Sequence, residues 1–128
     1  MRDLTKAEEQ VMKVIWKLEK AFLKDVVESF PEPRPAYTTV STVIRVLVKK
    51  KVLGYKTYGK KVNEYFPLIS KDSYFSNQIG SVITNFFNGS NNQFASFFTE
   101  NQGMSINELE EMKSLLDSKI QELKDKGE

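Results

Sequence analysis

The segment from Tyr37 to Lys51 combines hydroxyl groups, cations and β-branched side chains at helical spacing. With 100° between successive residues, one side of this helix is an apolar stripe made of Val40, Val43, Ile44 and Leu47. The other side has no acid, and its residues are Thr38, Thr42, Arg45 and Lys49. Because a solvated helix face usually pairs Glu with Lys at i,i+4 spacing, this composition favours contact with an anion.

These side-chain types suit the reading of DNA. Ser and Thr contact base edges or the thymine methyl group, and Arg pairs with O6 and N7 of guanine. Lysines at the far end of the helix and at the tip of the following hairpin suit backbone phosphates. The candidate DNA-binding residues are Thr38, Thr39, Ser41, Thr42, Arg45, Lys49, Lys50, Tyr58, Lys60 and Lys61.

Charge is distributed unevenly along the 128 residues, although the net charge is only +2. Residues 1–66 carry 14 Lys and Arg against 8 Asp and Glu, whereas residues 67–128 carry 5 against 9. Residues 34–61 hold 8 cations and no acid. This asymmetry predicts a polyanion-binding part joined to a part that avoids the polyanion.

The composition argues against several classes of chemistry. With no Cys and no His, the chain has no disulfide, no thiolate metal site and no Cys–His or Ser–His nucleophile, and we expect no cofactor or metal. The acid pairs Glu8-Glu9 and Glu110-Glu111 are adjacent, so they diverge on their helices, and the sequence does not favour an enzyme. No apolar run approaches the roughly 20 residues that span a bilayer, so we expect no membrane insertion.

Elements of the first half follow in a recognisable order. A capping box of Thr5 and Glu8 begins a first helix, Phe22–Phe30 forms a short second one, and Tyr37–Lys51 forms a third with Thr38 or Thr39 as N-cap. Residues 52–58 and 61–66 then predict two strands around a type II′ turn at Gly59-Lys60. Three helices followed by a hairpin are typical of a winged helix-turn-helix, in which helix three enters the major groove.

The second half predicts helices, the last of which begins at a capping box of Ser105 and Glu108. Their apolar surface is more than about 60 residues can bury alone. Self-association into a homodimer is the economical explanation. The candidate dimerisation residues are Phe75, Ile79, Val82, Ile83, Phe86, Phe94, Phe97, Phe98, Leu109, Met112 and Leu116. The fold class is thus mainly α with a small β-hairpin wing: a winged helix-turn-helix DNA-binding domain at 1–69 and a helical dimerisation domain at 70–128.

Four stretches of the chain resemble one protein family. LTKAEEQVMKVIW (4–16), YTTVSTVIRVLVKKKVL (37–53) and YGKKVNEYFPLISKDSY (58–74) are similar to the penicillinase repressors of the BlaI/MecI type, as is MSINELEEMKSLL (104–116). The resemblance implies a cytoplasmic bacterial repressor that binds a palindromic operator as a homodimer and controls a β-lactam-resistance or related stress operon. It also implies a membrane-bound sensor metallopeptidase as a partner.

The chain departs from the family pattern at three places. The usual Lys-Arg-Leu late in helix three is Arg45-Val46-Leu47, and the usual Lys-Gly at the helix end is Lys50-Lys51. Family members that are cleaved are cut between Asn and Phe. The corresponding bond here is Phe97–Phe98, with Phe97 in place of Asn. We therefore expect this segment to be mainly dimer core, with regulated cleavage as the alternative.

The alternative to DNA binding is a winged helix used for protein–protein contact.

Overall fold

The computed structural model describes residues 3–127. Its elements are α1 (Lys6–Leu18), β1 (Ala21–Phe22), α2 (Leu23–Ser29), α3 (Tyr37–Lys49), β2 (Leu53–Tyr58), β3 (Val62–Pro67), α4 (Lys71–Phe86), α5 (Asn91–Asn101) and α6 (Ile106–Asp125). The chain divides into two compact units after Gly80. The order of three helices and a hairpin confirms the winged helix-turn-helix expected from the sequence.

The first unit has a single apolar core under α1, α2 and α3. The capping box predicted at the start of α1 is present, with Thr5 and Glu8 bonded to each other's backbone N–H groups. The core side of α3 is the stripe predicted from its periodicity, and Val40, Ile44 and Leu47 are each at most 2% exposed. The core's other apolar members are Leu4, Val11, Met12, Ile15, Ala21, Val26, Val27, Val52, Leu53 and Tyr74.

A three-stranded antiparallel sheet in the order β1-β3-β2 lies in the first unit. The strand β1 was not predicted, because two residues are too short for an alternating pattern and Phe22 was assigned to the second helix. In the hairpin Tyr58 pairs with Val62, so the connection has three residues instead of the predicted two-residue type II′ turn. Gly59 and Lys61 both have positive φ there, 48° and 64°.

The beginning of α4 completes the core of the first unit. Tyr74 is 1% exposed, and its hydroxyl donates to Glu9 Oε2 at 2.9 Å. Trp16 packs against Tyr74 and Phe75, and its indole N–H donates to the backbone oxygen of Ile69. Trp16 therefore joins α1 to the start of α4. The domain boundary at 69/70 stays a prediction, and the compact units divide eleven residues further along the chain.

The second unit begins at Ser81 and contains α5 and α6. The ring of Phe87 packs against those of Phe94 and Phe97, with centroids 5.6 and 5.3 Å apart. The predicted capping box of Ser105 and Glu108 begins α6. Neither α5 nor α6 contains a buried residue. The described residues of this unit therefore do not bury its apolar stripes.

Within residues 3–127, no helix is long and apolar enough to cross a bilayer. The same part of the chain contains no cluster of three Asp or Glu residues placed to hold a metal ion.

Candidate nucleic-acid interface

The exposed side of α3 carries most of the residues predicted to contact bases. Its apolar stripe holds the helix on the core, so the opposite side must face outward. Thr38, Thr39, Thr42 and Arg45 are exposed, and Ser41 is half-buried. No Asp or Glu occurs within Tyr37–Lys49. The structure therefore brings these hydroxyl and guanidinium groups together on one accessible, acid-free surface.

Hydrogen bonds within α3 restrict two of these side chains. The hydroxyl of Thr42 donates to the backbone oxygen of Thr38 at 2.9 Å, and Nη2 of Arg45 donates to Oγ of Ser41 at 3.5 Å. The predicted N-cap at Thr38 or Thr39 is wrong, because the N-cap is Ala36 and makes no side-chain bond. The hydroxyls of Thr38 and Thr39 are thus not used to cap the helix.

The end of α3 separates two adjacent lysines that look equivalent in the sequence. Lys49 is exposed and has no ion-pair partner among the described residues. The ammonium of Lys50 instead lies 2.7 Å from Oε1 of Glu8, with side chains 25% and 7% exposed. Lys50 therefore ties the end of α3 to the first turn of α1, whereas Lys49 has no such contact within the described residues.

The carboxylate of Glu8 has two tasks at once. Its Oε1 accepts from the backbone N–H of Thr5 and from the ammonium of Lys50. Burial alone would raise the pKa of Glu8, but the bonds from Lys50 and Thr5 outweigh it and lower that pKa below its usual value. The charged form of Glu8 is therefore the one that the fold stabilises.

The C-terminal cap of α3 is regular although it lacks glycine. Lys51 has φ 64°, its N–H donates to Val48 O, and the N–H of Val52 donates to Leu47 O. These two bonds form a Schellman motif, which glycine usually completes. With Lys51 in place of glycine, α3 still ends in this regular hydrogen-bond pattern.

The hairpin tip presents the remaining predicted contacts. Tyr58, Lys60 and Lys61 are all exposed. The hydroxyl of Tyr58 donates to Glu64 Oε1 at 3.2 Å, and the ammonium of Lys56 lies 5.2 Å from the centre of the Tyr58 ring. Lys60 and Lys61 have no ion-pair partner in residues 3–127. Two free cations therefore lie at the tip and an acid lies further down β3.

Two exposed residues of α3, Tyr37 and Val46, were not among the DNA-binding candidates selected from the sequence. Val46 is 38% exposed and lies one turn after Thr42. The sequence signal for Val46 is its position outside the apolar stripe, and it was missed because only polar side chains were predicted to bind DNA.

The candidate dimerisation residues fall into three groups by exposure. Phe75 packs against the core of the first unit. The exposed fractions of Ile79, Val82 and Phe86 are 46, 38 and 77%, and those of Phe97, Leu109 and Leu116 are 49, 39 and 57%. Ile83, Phe94, Phe98 and Met112 are half-buried. The bond between Phe97 and Phe98 lies inside α5.

Three helices on a small sheet, with an acid-free, cation-bearing face on the third helix and lysines at a hairpin tip, define a winged helix-turn-helix protein. The chain belongs to the penicillinase repressor family, a family of transcriptional repressors, because the family model described as Penicillinase repressor matches residues 4–118.

Two relatives that are similar in sequence agree with this assignment. The penicillinase repressor of Bacillus licheniformis is 30% identical over 115 residues, which cover 89% of this chain and 89% of that protein. The methicillin resistance regulatory protein MecI of Staphylococcus aureus strain N315 is 25% identical over 118 residues, 91% of this chain and 95% of MecI. The solved structure titled "CopR Repressor Structure" is 34% identical, covers 54% of this chain and 100% of its own, and has a TM-score of 0.44.

Proposed function

We propose that this chain is a repressor that binds a palindromic operator as a homodimer in the cytoplasm. In each protomer α3 enters the major groove, and Lys60 and Lys61 contact the adjacent backbone. The observation that carries the proposal is the exposed, acid-free face of α3, on which hydroxyl groups and the Arg45 guanidinium lie together. Lys50 is left out of the interface because Glu8 holds its ammonium.

The second unit supplies the dimer contact in this proposal. Large apolar side chains such as Phe86, Leu116 and Ile120 are at least half exposed, more than an isolated small unit needs to leave uncovered. A two-fold symmetric pairing covers the same patch on both protomers. Two recognition helices about 34 Å apart then read half-sites one helical turn apart.

The test of DNA binding is the affinity of the full chain for a duplex that it selects from a random library. If roughly four phosphates are neutralised per protomer, the slope of log K against log salt is about −7 for the dimer. Replacing Arg45→Ala should relax base preference at one position, at a cost of roughly 1–3 kcal/mol. Lys60→Ala should instead weaken binding to all sequences and flatten the slope by about 1.

Failure to select any duplex at about 50 mM salt, where phosphate contacts are strong, would contradict the repressor proposal. A protein–protein module would show the same absence of DNA binding. Circular dichroism of each variant distinguishes a lost contact from a lost fold.

For the segment around Phe97 and Phe98 we propose a role mainly in dimer packing. The bond between them lies within α5, and a protease needs an extended backbone, so α5 must open locally before cleavage. Incubation of the purified protein with membranes from inducer-treated source cells, followed by mass spectrometry, tests for a sensor metallopeptidase. A specific cut at Phe97–Phe98 would contradict this proposal and support regulated cleavage.

A further inference from the structure

Val46 is an apolar residue on the polar side of α3. Val40, Ile44 and Leu47 are buried in the core, and Val43 and Val48 are half-buried against it. Val46 is 38% exposed, although its neighbours on the same side are hydroxyl-bearing or cationic. Core packing therefore does not account for its side chain.

Helix propensity does not account for Val46 either. β-Branched side chains lose χ1 freedom in a helix, and valine is a poorer helix former than alanine or lysine by several tenths of a kcal/mol. An exposed position chosen for helix stability would carry one of those residues. A valine there is more readily explained by what it contacts outside the protein.

Thr42 extends the apolar character of this site by one turn. Thr42 and Val46 are spaced i,i+4, so they are neighbours on the helix surface. The hydroxyl hydrogen of Thr42 is already donated to the backbone oxygen of Thr38 at 2.9 Å. Thr42 therefore offers a partner its methyl group and the lone pairs of its oxygen, and not a donor.

We propose that Val46, together with the methyl group of Thr42, contacts the 5-methyl group of a thymine in the major groove. This inference rests on the proposed DNA binding and assigns a base class to one part of the interface. The thymine methyl is the apolar group that the major groove presents among the hydrogen-bonding edges of the bases. Arg45 lies next to Val46 in the sequence and contacts a different base in this arrangement.

The experiment replaces thymines of the selected duplex, one at a time, by deoxyuridine, which lacks only the 5-methyl group. Affinity is measured for the wild-type chain and for Val46→Ala. Wild type should lose about fourfold in affinity at the contacted thymine, the equivalent of one methyl group removed from an apolar contact. Val46→Ala should bind the unmodified duplex more weakly and should lose little further affinity at that position.

Lys49→Ala is the matched control, because it weakens binding through charge on the same helix. It should retain the deoxyuridine sensitivity of the wild type. Equal losses at every thymine in wild type and Val46→Ala, or no loss anywhere, would overturn the methyl contact while leaving DNA binding intact. If no duplex is selected at all, the proposed function fails first and the contact fails with it.

Discussion

At the scale of single residues, the neighbouring cations Lys49 and Lys50 lie in different surroundings. Lys49 and Lys50 are chemically identical in the sequence, yet one is exposed and the other is paired with a buried carboxylate. Helical geometry separates them by about 100°, which is enough to turn one towards solvent and the other towards α1. A proposed DNA contact, Lys49, and a contact that holds α3 in place, Lys50, are therefore adjacent in the chain.

The paired variants Lys49→Ala and Lys50→Ala test this division. Lys49→Ala should lower DNA affinity and flatten the salt slope by about 1, with little change in the free energy of unfolding. Lys50→Ala should lower the free energy of unfolding by about 2 kcal/mol, because it leaves the Glu8 carboxylate without its charged partner. Urea denaturation and salt-dependent anisotropy measure the two effects, and identical behaviour of the variants would contradict the assignment.

Glu8 predicts a pH dependence of stability with a definite sign. Since its pKa is lowered in the folded state, its contribution is fully present above the unfolded pKa of about 4.3 and is lost as pH falls through the folded pKa. The difference in free energy of unfolding between wild type and Glu8→Gln should therefore shrink between pH 7 and pH 3. Urea titrations across that range measure it.

Glu108→Gln is the control for this pH dependence. Glu108 occupies the same position in a capping box, and its bond to the Ser105 backbone lowers its pKa. Unlike Glu8, it is exposed, and within residues 3–127 it has no lysine partner. The difference in free energy of unfolding between wild type and Glu108→Gln should therefore change less with pH than the difference for Glu8→Gln. A difference between wild type and Glu8→Gln that stays constant down to pH 3 would show that ionisation of Glu8 does not stabilise the fold.

At the scale of elements, the start of α4 belongs with the three helices that precede the hairpin. Tyr74 is buried under Trp16, its hydroxyl accepts from the Leu4 N–H at 3.4 Å, and Gln78 donates to Asp3 at 2.9 Å. These contacts join residues about 70 positions apart in the chain. A fragment that ends where the hairpin ends therefore lacks part of its own core.

Two truncations measure the contribution of α4. A fragment ending at Gly80 should fold with the stability of the first unit, whereas one ending at Ile69 should lose about 3 kcal/mol or more because the Tyr74 site is left empty. Chemical denaturation of both fragments, followed by Trp16 fluorescence, gives the difference. Equal stabilities would show that residues 70–80 do not complete the core.

At the scale of the whole molecule, the proposed dimer forms through the exposed apolar surface of the second unit, so that it carries two copies of the unit proposed to bind DNA. Binding two half-sites from one dimer raises affinity through effective concentration, without any new contact to the bases. Loss of the dimer should therefore weaken binding to a palindrome far more than binding to a single half-site.

Leu116→Lys tests the dimer directly. Leu116 is 57% exposed, and a lysine in an apolar contact between protomers should weaken dimerisation at least tenfold, since an unpaired buried charge costs more than about 1.4 kcal/mol. Sedimentation equilibrium measures the association. Ser118→Lys adds the same charge on the opposite side of α6 and should leave the dimer intact, so equal effects of the two variants would argue against this interface.

The sequence by itself determined the features that depend on local geometry. Periodicity was enough to identify the core side of α3, and the pairings of Thr5 with Glu8 and Ser105 with Glu108 were enough to identify two helix starts, because both signals act within one or two turns. The hairpin was also predictable from its strand pattern, but its exact loop was not, since one residue of register depends on pairing across the strands.

Only the tertiary structure decided the features that join distant parts of the chain. Lys50 pairs with Glu8, which lies 42 residues away in the sequence, and Tyr74 donates to Glu9, which lies 65 residues away. The strand β1 exists because Ala21 and Phe22 meet β3, and two residues carry no periodic signal of their own. Which of Lys49 and Lys50 is exposed, and where the first unit ends, follow from these long-range contacts, because packing and not local propensity distinguishes chemically equivalent residues.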